Sequence, residues 1–263
     1  MSKESLCCQR DWSTDSHFSP EQLASLNFEK VPHHVAIIMD GNRRWARKQS
    51  GMGVVDALGG HWAGARALTA TVSAAQELAI KVLTVWAFST ENWGRKQIEI
   101  DLLMRIFEVY LRDNRERMIE EGVRFHVIGD LTPISAKLRN AIERTTEETS
   151  GGRALDFVIG FNYGGRDDIK RAVVRLAKDV QANELQLDEI NERKIATYLD
   201  TARWPDPDLL IRTSAEQRVS NFLLWQIAYS ELYTTHVLWP DFQPAHLLQA
   251  VLSYQKRQRR MGR

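Results

Sequence analysis

The chain has only two cysteines in 263 residues, and they are neighbours, Cys7 and Cys8. Adjacent thiols offer neither a disulfide framework nor metal-ligand spacing, which fits a reducing compartment. No apolar run approaches the ~18 residues of a membrane span. The opening Met-Ser-Lys-Glu-Ser lacks the apolar centre of a secretory leader, so the expectation is a cytoplasmic protein. Charge of one sign is missing as well: a formal net charge of +1 provides no field to attract nucleic acid. No Gly-x-x-x-x-Gly-Lys-Ser/Thr phosphate loop occurs. Gly51-Met52-Gly53 grazes the dinucleotide fingerprint and fails it, because Asp56 stands where the third glycine belongs and no strand precedes it. There is no Ser-His-Asp spacing, no reactive-thiol setting and no histidine cluster for metal-assisted hydrolysis.

What is present is the composition of a soluble globular protein, 43% hydrophobic and 26% charged, long enough to bury a large core. Residues 1–30 are polar and aperiodic and read as a flexible arm before a domain of residues 31–263. Short apolar strands are expected at Val35–Met39, Val82–Phe88, Arg124–Ile128, Leu155–Phe161, Leu209–Ile211 and Val237–Trp239. Between them run helical patterns: from Gly60 to about Leu78, Gln97 to Glu121, Pro133 to about Glu148, Asp167 to about Val180, and Leu187 to Leu199. A last helix begins near Pro244. Six strands alternating with helices predict an α/β fold with one mostly parallel sheet flanked by helices. His33 and His34, adjacent on a strand, point to opposite faces and cannot share a metal.

In such sheets ligands bind beyond the carboxyl ends of the strands. Four polar clusters fall there: Asp40-Gly41-Asn42-Arg43-Arg44, Ser89 to Arg95, Asn162 to Arg166, and Arg212 to Ser220. Together they supply several arginines (Arg43, Arg44, Arg95, Arg212, Arg218), hydroxyls and few acids. Guanidinium forks with hydroxyls suit phosphate or diphosphate oxygens. Asp40 offers one oxygen ligand to Mg²⁺, a cation that takes one or two carboxylates and fills its shell with phosphate and water. The chemistry implied is a diphosphate acting as leaving group or handle.

His34-Val35-Ala36-Ile37-Ile38-Met39-Asp40-Gly41-Asn42-Arg43-Arg44-Trp45 resembles the first signature of the cis-prenyltransferases. So do Gly60-His61-x-x-Gly64, Ala87-Phe88-Ser89-Thr90-Glu91-Asn92-Trp93, Asn162-Tyr163-Gly164-Gly165-Arg166, Pro207-Asp208-Leu209-Leu210-Ile211-Arg212-Thr213, Ser220 to Gln226, Glu231-Leu232-Tyr233 and Leu238-Trp239-Pro240-Asp241-Phe242. The likeness runs in order from about residue 33 to the C-terminus and is greatest to the bacterial undecaprenyl diphosphate synthases.

That resemblance implies a homodimer with an apolar tunnel under the sheet, adding isopentenyl diphosphate units in cis to farnesyl diphosphate. By the same resemblance Asp40 is the essential acid and binds Mg²⁺. Gly41, Asn42, Arg43 and Arg44 cradle the allylic diphosphate, with Trp45 and His61 beside them. Ser89, Thr90, Glu91, Asn92, Trp93 and Arg95 form a mobile cover. Asn92 has been given a proton-accepting role; an amide is a poor base, so an orienting role is expected instead. Arg212, Arg218, Val219 and Ser220 form the isopentenyl diphosphate clamp, and Glu231 is a second metal-linked acid. The basic tail with Arg260-Met261-Gly262 reaches toward the partner subunit, and product release invites peripheral association with the inner membrane face.

The chain departs from the family pattern at four places. Asp56 and Ala57 occupy a region that usually holds an arginine, Ala215 replaces a glycine, Lys96 replaces a proline, and Arg43 stands where many relatives have a small residue. Arg43 is therefore the first candidate to supply the missing charge. A cis-prenyltransferase of another product length and a non-catalytic partner subunit are the alternative functions; retention of Asp40, Asn92, Arg212, Arg218 and Glu231 speaks against the latter.

Overall fold

The computed structural model describes residues 16–50 and 54–258, with the backbone alone for Ser50 and residues 54–58. Cys7, Cys8, Gly51 to Gly53, the side chains of Asp56 and Ala57, and the tail from Arg259 lie outside the described residues.

Six parallel strands form one sheet: β1 (His34–Ile38), β2 (Val82–Ser89), β3 (Val123–Ile128), β4 (Leu155–Tyr163), β5 (Leu209–Arg212) and β6 (Glu231–Thr234), in the order β3-β4-β2-β1-β5-β6. β1 is buried along its whole length, as expected for an unbroken apolar strand covered on both faces. One face packs Val35, Ile37, Leu83, Val85, Phe157 and Ile211 into the main core, beneath the helices α3 (Val54–Glu77), α4 (Gln97–Glu120), α5 (Ala136–Glu148) and α8 (Pro244–Gln255). The other face packs Ala36, Ile38, Val158 and Leu210 against Tyr163, Phe222 and Leu223. From β1 the chain moves to β2 on one side, then returns to lay β5 on the other side of β1. The loops after β1 and β5 therefore diverge and open a crevice between them, the place where such sheets bind ligands.

Four expectations need correction. Residues 16–30 are not a loose arm: α1 (Pro20–Ala24) is capped by Ser19, and Phe18, Leu23 and Leu26 are buried in the main core. The sixth strand is Glu231–Thr234, whose side chains alternate between exposed and half-buried, as on a sheet edge. Val237 to Trp239, expected as that strand, leads into a 3₁₀ turn (Trp239–Asp241). It is apolar because Trp239 is buried against α3; its ring N–H donates to the Gly64 carbonyl at 2.9 Å. The expected helix Leu187–Leu199 is split into a 3₁₀ turn (Leu187–Glu189) and α7 (Glu192–Ala196). Asn191 restarts it as N-cap, accepting the Lys194 N–H at 3.0 Å. The helix expected from Gly60 begins earlier, at Val54. The helices α2 (Asn42–Ser50) and α6 (Gly165–Gln181) complete the chain.

Candidate active site

Asp40 follows β1 at the divergent loops. Its backbone is held by the loop after β5: Thr213 Oγ1 accepts its N–H at 2.8 Å, and its carbonyl accepts the Thr213 and Ser214 hydroxyls at 2.6 and 2.8 Å. Gly41 is what the next turn requires. Its φ is +113°, and a Cβ would stand 2.2 Å from Ser214 Oγ. With the backbone fixed on both sides, the Asp40 carboxylate meets two guanidinium groups. Arg212 Nη2 donates to Oδ2 at 3.0 Å, and Arg44 Nη2 lies 3.4 Å from Oδ1.

A pocket of about 440 Å³ opens beside this carboxylate. It brings together nine residues that the sequence nominated: Asp40, Asn42, His61, Ser89, Glu91, Asn92, Arg95, Arg212 and Ser220. The register between β2 and β4 is irregular from Trp86 to Ser89, the strand end that lines the pocket. Asn92 Oδ1 accepts the Ser89 N–H at 3.2 Å, which leaves the amide with donors to offer and no basic atom. Glu91 accepts from Asn221 Nδ2 at 2.7 Å, tying the segment Thr90–Gly94 to the loop after β5. Asn42 Oδ1 and His61 Nε2 are buried with no hydrogen-bond partner among the described residues. Burial, followed by the Arg95 charge, pushes the His61 pKa down to about 4, so its ring is neutral at neutral pH. Buried polar atoms without partners are uncommon in folded proteins, and here three line one pocket, these two and Arg212 Nε. Behind it lies an apolar cavity of about 80 Å³ that shares Met39, Asn42, His61, Ala87 and Leu103 with the pocket and ends among Phe107, Tyr110 and Phe161.

Other nominated residues stand around the pocket rather than in it. Arg212 also lines a second cavity of about 290 Å³ with Glu216, Arg218 and Val219. Arg218 is 63% exposed there and pairs with Glu216, and Ser220 Oγ accepts from Arg212 Nη1 at 2.9 Å. Arg44 pairs with Glu216 at 3.1 Å as well as with Asp40. Trp45 donates to Asp241 Oδ1 at 2.6 Å and ties α2 to the 3₁₀ turn. Trp93 donates to Asn162 Oδ1 at 2.7 Å, and the Thr90 side chain packs against Gly164. Arg43 pairs with Glu99.

Glu231 is the outlier. It opens β6 level with Leu209 and Val35, five residues before Asp40 along a parallel sheet. At ~3.3 Å per residue that is roughly 16 Å away, at the opposite end of the strands. Its carboxylate pairs with Arg257 at 2.7 Å. The chain by itself does not bring the two acids together. Glu99 and Glu216, which bind the arginines of the site, were missed in the sequence. The Arg95–Glu99 spacing of i,i+4 at a helix start was the available signal.

The family profile described as putative undecaprenyl diphosphate synthase matches residues 38–262. An isoprenyl transferase of Chlamydia abortus is 46% identical over 240 residues, covering 91% of this chain and 96% of that protein. The ditrans,polycis-undecaprenyl-diphosphate synthase ((2E,6E)-farnesyl-diphosphate specific) of Pasteurella multocida is 44% identical, covering 91% and 98%. Among solved structures, lavandulyl diphosphate synthase from Lavandula x intermedia, in complex with dimethylallyl diphosphate, superposes with a TM-score of 0.86 at 38% identity, covering 89% of this chain and 100% of that one. This chain belongs to the undecaprenyl diphosphate synthase family and is a prenyltransferase.

Proposed function

We propose that the chain condenses isopentenyl diphosphate units onto farnesyl diphosphate in cis, to give a long polyprenyl diphosphate of the undecaprenyl class that serves as cell-wall lipid carrier precursor. One observation carries this reading: a carboxylate held between two guanidinium groups at the mouth of a polar pocket that backs onto an apolar cavity. The polar mouth suits diphosphates and the apolar floor suits a prenyl chain. As the allylic C1–O bond breaks, its electron pair leaves with the diphosphate. That charge develops beside Arg95, Asn42 and neutral His61, donors fixed before the reaction. Arg212, Arg218 and Ser220 hold the second diphosphate so that its alkene lies against C1. The alkene's π electrons form the new C–C bond, and the cation left at C3 is quenched by loss of a C2 proton to the departed diphosphate. The apolar cavity keeps water from the cation.

Among the described residues no three acids, histidines or cysteines gather as a metal cluster. Asp40 alone fits a Mg²⁺ that takes its remaining ligands from diphosphate and water, and such a cation would neutralise charge on the leaving group. An undecaprenyl chain greatly exceeds the present cavity, so elongation requires α3 and α4 to part into a tunnel. The catalytic unit comprises residues 31–263 with residues 16–30 packed on its core, and it acts as a homodimer in the cytoplasm, with release at the inner membrane face. No helix among the described residues is long and apolar enough to cross a membrane.

The test is incorporation of radiolabelled isopentenyl diphosphate with farnesyl diphosphate and Mg²⁺, followed by product sizing. Products of the undecaprenyl class are expected; a short product rejects the length assignment, and no incorporation rejects the activity. Arg218→Ala should raise KM for isopentenyl diphosphate ~10-fold or more, as loss of a charge-assisted contact does. KM for the primer should stay nearly unchanged, and equal effects would mean the clamp holds the other diphosphate.

A further inference from the structure

Glu99 sits in the first turn of α4, behind the pocket rather than in its lining. Its carboxylate gathers side chains from three separate segments. Arg43 of α2 donates from Nε to Oε1 at 3.0 Å and from Nη2 to Oε2. Arg95, which closes the segment Thr90–Gly94, donates from Nη1 to Oε1 at 2.9 Å. His61 Nε2 of α3 stands 3.7 Å from Oε1. Burial alone would push the Glu99 carboxyl up. The Arg43 hydrogen bond and the charges of Arg95 and Arg43 outweigh it and hold the group below its ordinary value.

The charge balance is uneven. One carboxylate serves two guanidinium groups and a neutral ring, so the cluster keeps a net positive charge. Two guanidinium groups this close would repel each other without a shared acceptor. Each fork spends part of its five N–H donors on Glu99 and keeps the rest for a ligand. Arg43 is half exposed, and Arg95 lines the pocket.

We infer that Glu99 is a positioning residue for the primer: it holds Arg43 and Arg95 side by side at the pocket edge as a preformed diphosphate clamp and ties the covering segment to α2. The inference rests on the prenyl-transfer reading.

The test uses the full chain as wild type, Glu99→Gln, Glu99→Asp, Arg43→Gln and the Glu99→Gln/Arg43→Gln double variant. KM is measured separately for farnesyl diphosphate and isopentenyl diphosphate. Glu99→Gln should raise the primer KM roughly ten-fold and leave the isopentenyl KM within about two-fold, the scale of one charge-assisted contact. Glu99→Asp, which keeps the charge, should recover part of the loss. Arg43→Gln should give a similar primer-specific rise, and adding Glu99→Gln to it should cost much less than Glu99→Gln alone. An unchanged or lower primer KM, equal rises for both substrates, or full additivity in the double variant overturns the inference. If Glu99→Gln does not fold, Arg43→Gln at its exposed helix position decides, and an unchanged primer KM there overturns it. If the wild-type chain transfers no prenyl group, the function proposed above fails instead. Calorimetry with inorganic diphosphate then still reads the clamp, with weaker binding by Glu99→Gln expected and equal binding overturning it.

Discussion

His34 and His61 are buried at opposite ends of the sheet, and burial pushes the pKa of each down to about 4. Their surroundings differ. The ring nitrogens of His34 both have partners, the Pro205 carbonyl at 2.7 Å and Thr84 Oγ1 at 2.8 Å. Among the described residues His61 Nε2 has none, nor has Asn42 Oδ1 beside it. The backbone leans the same way: Ser214, Ala215, Ser220, Asn221 and Leu223, all in the loop after β5, take positive φ, while Ala79 does so at the folding end. At the folding end His34 has both ring nitrogens satisfied and so supports folding. The other end keeps unpaired polar atoms and left-handed residues, features that persist where a fold holds a site in shape for a ligand.

The most direct way to break this contrast is to remove the carboxylate at the binding end. Asp40→Ala should fold, because the Asp40 backbone carries the bonds to Thr213 and Ser214. Turnover should fall ~10²–10³-fold or more, the scale of removing a preorganised electrostatic group. Near-normal isopentenyl incorporation by the folded variant would remove Asp40 from the mechanism.

At the folding end the expected effect is on stability. His34 is lowered from 6.5 to about 4, so between those values the unfolded chain binds a proton that the folded chain refuses. Stability from this group is full above pH ~6.5 and is lost as pH falls toward 4, on the order of 3 kcal/mol. His61 acts in the same direction. Denaturant unfolding across pH 4–7 should show stability rising with pH. His34→Asn should be less stable overall and show a slope shallower by about one proton. An unchanged slope would mean that His34 does not titrate in this window.

How far such features were legible depended on whether local sequence determined them. Strands β1, β2 and β4 were readable because burial on both faces demands unbroken apolar runs. β6 was not, since an edge strand carries Glu231 and Tyr233 in an alternating, half-exposed pattern, while the apolar Val237 to Trp239 owes its character to packing on α3. Most of the pocket could be read from the polar residues that end the strands. Glu216 could not, because an acid that orients arginines looks in sequence like any solvated carboxylate, and for Glu99 the four-residue spacing from Arg95 was the one hint. Glu231 was nominated by resemblance, and only the parallel register shows that it lies at the far end of the sheet from Asp40.

The smallest effect sharpens the contrast most. Ala215 has φ +59° in the loop after β5, and Ala79 has φ +62° just past α3, beside the start of β2. An L-residue in this conformation costs ~1–2 kcal/mol, which glycine avoids while adding ~0.5–1 kcal/mol of unfolded-chain entropy. Ala215→Gly and Ala79→Gly should therefore each stabilise the chain by up to about 1 kcal/mol, raising Tm by ~2–4 °C. Their effects on catalysis should part. Ala79 lies at the folding end, so Ala79→Gly should leave both KM values as they were. Ala215 sits between Ser214, which holds Asp40, and Glu216, which holds Arg44 and Arg218. Freeing its backbone loosens that loop, so Ala215→Gly should raise KM for isopentenyl diphosphate by about two- to five-fold, less than a lost charge-assisted contact. If both variants gain stability and neither changes KM, the left-handed residues after β5 are a cost to the fold alone and do not shape the site.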